Sequence, residues 1–143
     1  MPAAAESMCS RVGRLFRELS PTGLVAAYLF GSHVAGRAHR ESDVDVAVLF
    51  AWDVHLTARQ RFDERVRLSA ALAGALRTNR IDLVVLNDVP PHLGRRIVTT
   101  GERVFCADPG RAHDFVRDVQ LRAADLEPFL ERTRRLKLAA IRR

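Results

Sequence analysis

Residues 24–50 read LVAAYLFGSHVAGRAHRESDVDVAVLF, and this stretch decides the architecture. Its first seven residues form an unbroken apolar run between Gly23 and Gly31. That is too short for an ordinary helix and fits a buried strand. Residues 44–50 are again apolar and rich in valine, which predicts a second buried strand. Between them lies a polar loop with room for one short helix. Two carboxylates, Asp43 and Asp45, stand at the entry to the second strand, against its apolar character.

Outward from this core the pattern alternates. Residues 4–20 place Met8, Val12, Leu15, Phe16 and Leu19 at helical spacing, and Pro21-Thr22-Gly23 ends the run. Thr57 and Gln60 form a capping box for a helix whose apolar face takes Phe62, Val66, Leu72, Ala73 and Leu76, with Asn79 as its stop. Residues 81–86 (IDLVVL) predict a third strand, carrying Asp82. Pro90-Pro91 can start a helix but not continue one, so a short helix runs from there to Gly101. A weaker fourth strand spans 103–107. Asp108 and Pro109 then supply an N-cap and first position for a long closing helix that Pro128 kinks or breaks. The expectation is one α/β domain over residues 1–143, a small mixed sheet of about four strands with helices packed on it.

The chain has 143 residues, 48% hydrophobic and 28% charged. This is too apolar for a disordered chain, and no long uncharged apolar run predicts a membrane span. Two isolated cysteines, Cys9 and Cys106, exclude a disulfide framework and predict buried thiols in a reducing cytoplasm. The N-terminus lacks the pattern of a secretory signal. The formal charge of +6 suggests nucleic acid, but six of the 23 basic residues lie in the last twelve positions, leaving 17 against 17 acids elsewhere. That end, with Phe115, Val119, Leu126, Phe129, Leu130, Leu136 and Ile141 among its arginines, presents an apolar stripe to a partner helix or, in part, to the domain's own core.

Asp43, Asp45 and Asp82 carry the chemistry. Carboxylates in apolar strands cost several kcal/mol unless a cation or several donors compensate them, roughly by the balance that governs buried charge. Asp43 and Asp45, two apart on extended backbone, project to one side, where they can share a hard oxygen-liganded ion. If the strand of Asp82 lies beside theirs, at about 4.8 Å, three carboxylates can hold two Mg²⁺ ions roughly 3.5–4 Å apart, as phosphoryl and nucleotidyl transfer require. Gly31-Ser32, where a strand turns into a short helix, offers free N–H groups and a hydroxyl to phosphate oxygens. Each acid also has a plain structural reading: Ser42 and Asp43 as a cap at the strand entry, Asp82 as a partner of Arg80 or Arg77. His33 and His39 receive no role, Tyr28 is assigned to the core, and Trp52 to packing in preference to base stacking.

Gly31-Ser32, ten intervening residues, then Asp43-Val44-Asp45, with Gly36, Ser42 and the later strand acid Asp82, resembles the signature of the DNA polymerase β nucleotidyltransferase superfamily. The short length looks most like the minimal nucleotidyltransferases, many of which are the antitoxin half of HEPN/MNT toxin–antitoxin pairs. The resemblance implies the nucleotidyltransferase fold over nearly the whole chain. It places nucleotide binding on Gly31, Ser32, Asp43 and Asp45, and metal binding and catalysis on Asp43, Asp45 and Asp82. Mg²⁺, as two ions, is the implied cofactor and ATP the substrate. The implied reaction moves AMP to a tyrosine hydroxyl of a HEPN ribonuclease toxin, blocking RNA cleavage. Asp82 is more readily an ion ligand than a base, since nearby metal lowers a carboxylate's pKa. The family favours a small residue where Val34 stands and a basic one where Ala35 stands, with Arg37 as the substitute. Two other classes stay open: an antitoxin acting by contact alone, and a transferase acting on nucleic acid or a small molecule.

Overall fold

A computed structural model describes residues 6–36 and 42–141. Arg37 and His39 lie outside the described residues, as do the positions before residue 6. The element order is α1 (Met8–Leu19), β1 (Leu24–Phe30), α2 (Ser32–Ala35), β2 (Val44–Phe50), α3 (Ala58–Leu76), β3 (Ile81–Val85), a 3₁₀ turn (Leu86–Asp88), α4 (Pro91–Thr100), β4 (Glu102–Cys106) and α5 (Pro109–Ile141). The sheet order is β3-β2-β1-β4. β1 pairs antiparallel with both β2 and β4. β2 and β3 are parallel, so the chain must cross over between them, and α3 makes that crossover.

Alternation along β2 divides the core in two. Val46 and Val48 face one layer with Phe16 of α1 and Leu72 of α3. Ala47 and Leu49 face the other, with Ile97 of α4 and Ala112 of α5. A strand covered on both sides has no reason to alternate apolar with polar, which is why residues 24–30 and 46–50 read as continuous runs. The acids occupy the strand beginnings. Asp43 and Asp82 are exposed and Asp45 is half-buried, so the expected burial holds in part for Asp45 alone.

Several expectations need correction. α1 starts at Met8, because the Ser7 side chain caps it by accepting from the Ser10 N–H. In α3 the buried positions are Arg61, Leu68, Leu72 and Leu76, whereas Phe62 and Val66 are exposed. The assignment of Phe62, Val66 and Ala73 to the buried face merged two neighbouring stripes. Only the one at spacing i, i+4, i+8 from Leu68 meets the sheet. The helix ends at Leu76, with Arg77 in the left-handed region (φ 54°), and not at Asn79. Cys9 and Cys106 are half-buried rather than buried, and Cys9 Sγ donates to Glu102 Oε2 at 2.9 Å. α5 continues through Pro128 without a break, although the ring removes one backbone donor. No helix among the described residues is long and apolar enough to cross a membrane.

Candidate active site

The site is built at one end of the sheet, where β1 finishes and β2 and β3 begin. Parallel register sets Asp45 directly against Asp82, and the next pair on that side is Ala47 against Val84. Ala47 is buried in the α4/α5 core and Val84 packs against it. Strand periodicity therefore places Asp43, Asp45 and Asp82 on the same side of the sheet, just beyond the reach of the helices. Antiparallel register brings Phe30, the residue before Gly31, opposite Asp45.

Gly31 is required here twice over. Its backbone (φ 77°, ψ −150°) lies in a region essentially closed to other residues. A Cβ built on it would overlap the Asp45 carboxylate. The carbonyl of Gly31 accepts from the N–H groups of Val34 (3.1 Å) and Ala35 (3.0 Å), so the turn leads straight into α2. The N–H groups of Ser32 and His33 precede these first bonds, beside the Ser32 hydroxyl.

The electrostatics identify Asp45 as the strained member. Burial pushes its carboxyl above the ordinary carboxylate range. The nearby charges of Asp82 and Asp43 push it the same way, and His33 opposes them. The charges of Asp82 and Asp43 thus bear on a half-buried oxygen pair at Asp45, an arrangement that a divalent cation relieves. Among the described residues no three His, Cys, Asp or Glu side chains are grouped closely enough to enclose a metal by themselves. The expected cage of three carboxylates is therefore not formed by the side chains as they stand, and Mg²⁺ itself takes one or two carboxylates and completes its shell with water and substrate phosphates. The donor set fits such an ion.

His33 is the residue that sequence reasoning passed over. It lies in α2, half-buried, and its Nε2 is buried with no hydrogen-bond partner among the described residues. The signal was its place directly after Ser32, in the first turn of a helix whose N-cap packs on Asp45. Arg61 was missed as well. It is 6% exposed, donates to both Asp88 carboxylate oxygens and to the His55 carbonyl, and lies 4.9 Å from the centre of the Trp52 ring. Trp52 is nonetheless 56% exposed, held on one side only.

The family model described as polymerase beta, nucleotidyltransferase, matches residues 17–110. Protein adenylyltransferase MntA of Shewanella oneidensis is 35% identical over 96 residues, which are 67% of this chain and 63% of that relative's length. Among solved structures, a chain from a toxin–antitoxin crystal structure with AMP-PNP superposes with a TM-score of 0.65 at 28% identity, covering 88% of this chain and 98% of that one. A chain from the structure of tri-AMPylated Shewanella oneidensis HEPN toxin in complex with MNT antitoxin gives 0.58 at 25% identity, covering 87% and 94%. The matched region holds β1, the Gly31-Ser32 turn, β2, β3 and all three acids, and the chain belongs to the polymerase beta nucleotidyltransferase family.

Proposed function

We propose that this chain is a Mg²⁺-dependent adenylyltransferase that moves AMP from ATP to a tyrosine hydroxyl of a cognate HEPN ribonuclease toxin in the cytoplasm, and so neutralises it. The observation that carries this reading is the register pair Asp45–Asp82 standing against the Gly31-Ser32 turn. Resemblance to an adenylyltransferase and to chains from toxin–antitoxin structures supports the choice of nucleotide and acceptor.

Gly31 lets the triphosphate approach the backbone, and the N–H groups and hydroxyl at Ser32 donate to its oxygens. Asp43 and Asp45 would hold the ions, with Asp82 as a further ligand. Bound Mg²⁺ supplies charge neutralisation on the triphosphate and a lowered pKa at the acceptor hydroxyl. The tyrosine oxygen bonds to the α-phosphorus, the bond to the bridging oxygen breaks, and pyrophosphate leaves. The hydroxyl proton passes to solvent or to Asp82. The product carries a phosphodiester and a base beside the toxin's active site, a steric and electrostatic block.

The test is to incubate the purified pair with ATP and Mg²⁺ and weigh the toxin by intact mass spectrometry. A gain of one or more adenylyl groups is expected, abolished by Asp43→Asn with Asp45→Asn. Relief of toxicity without any mass gain, or undiminished relief by the double variant, overturns the enzymatic reading in favour of contact alone.

A further inference from the structure

At the other end of the sheet from the acids a cavity of about 550 Å³ opens beneath the first half of α5. Val25, Leu49, Leu86 and Val89 form its floor, and Phe115 and Val119 its wall, with Trp52 at the mouth. Asp45 and Phe50 are five steps apart on β2, roughly 17 Å along the strand, so an occupant here leaves the end with the acids clear.

The wall does not stop at the cavity. Asp118, Arg122, Asp125, Phe129, Arg132 and Leu136 follow at steps of four and three, which keeps them on one flank of α5. Phe129 is 63% exposed and Leu136 is 66% exposed. An open pocket with an apolar floor, continued by large exposed side chains at helical spacing, is the form of a groove that receives a helix.

The charges give the occupant a direction. At the cavity end Arg111 is taken by Asp53, and Arg122 by Asp118 at 3.2 Å. Asp114, also lining the cavity, has no ion pair among the described residues, so this rim is net negative. Up to Asp125 the flank carries Asp114, Asp118 and Asp125, whereas beyond Phe129 it carries Arg132 and no acid.

We propose that the cavity and this flank of α5 form one docking groove for an amphipathic helix of the acceptor protein. That helix is basic where it crosses the cavity and acidic where it runs beside residues 129–137. The proposal rests on the reading that the acceptor is a protein. Its logic is that substrate choice is made by docking at one end of the sheet while transfer occurs at the other.

The groove is tested by isothermal titration of the full-length chain against the cognate toxin. Asp114→Arg with Asp118→Arg, and separately Phe129→Glu, are each expected to weaken binding at least tenfold while Mg²⁺-dependent ATP binding stays unchanged. These side chains are exposed, so thermal unfolding should shift little. Unchanged toxin affinity in both variants, where the wild-type chain binds, overturns the groove and leaves the proposed function standing. No binding by the wild-type chain overturns both.

Discussion

Asp45 is where the molecule holds electrostatic strain in reserve. Its carboxyl titrates above the ordinary range because of burial and the charges of Asp82 and Asp43. The folded chain therefore binds that proton more tightly than the unfolded chain, and at neutral pH the ionised group opposes folding. The penalty is present above the raised folded pKa and fades as pH falls through it. In chelator, Asp45→Asn is expected to raise Tm at neutral pH, with the gap closing in mild acid. Adding Mg²⁺ with ATP should reverse the order, stabilising the wild-type chain alone. Gly31→Ala tests the other half of the site. A backbone region reserved for glycine costs about 1–3 kcal/mol with any side chain, and the overlap with Asp45 adds to it, so both urea stability and nucleotide affinity should fall.

At the scale of elements, strands were more legible than helix faces, for a physical reason. β1 and β2 are covered on both sides, so their apolar runs announced themselves, and the Thr57–Gln60 capping box correctly marked the start of α3. The face of α3 did not, because a half-covered helix carries a second apolar stripe, Phe62 and Val66, that the sheet does not claim. The side of the sheet on which the three acids stand could be read because spacing on a strand fixes it, whereas their exposure at the strand beginnings could not. His33 and Arg61 could not, since each depends on what the fold sets beside it. Arg61 yields a prediction of its own. With donors to Asp88 and to the His55 carbonyl and a place over Trp52, it clamps residues 52–57 to α3. Arg61→Ala should cost about 2 kcal/mol in urea unfolding, the range for charge-assisted bonds. Asp88→Ala should add little to it in the double variant, since the two share one interaction.

The whole molecule sets the acids and the glycine turn at one end of the sheet, at the start of β2, and the cavity with its α5 flank at the other. Burial in α5 is confined to Ala112, Val119 and Ala123, so its second half adds exposed apolar surface without core. Leu136→Asp should accordingly change folding stability by less than about 0.5 kcal/mol while reducing self-association at high concentration, as sedimentation velocity would record. The basic end of the chain matters to the same question. If it grips a nucleic acid, affinity should fall steeply with salt, whereas a protein groove with an apolar centre should be far less sensitive.

The proposed adenylyl transfer is decided by which phosphorus leaves the nucleotide. The pair should be incubated with Mg²⁺ and ATP labelled either at the α-phosphorus or at the γ-phosphorus, and the label in the partner protein counted. Transfer from the α-labelled nucleotide only, lost with Asp45→Asn, is the result predicted. Label arriving from the γ position, or none from either while toxicity is relieved, would contradict it.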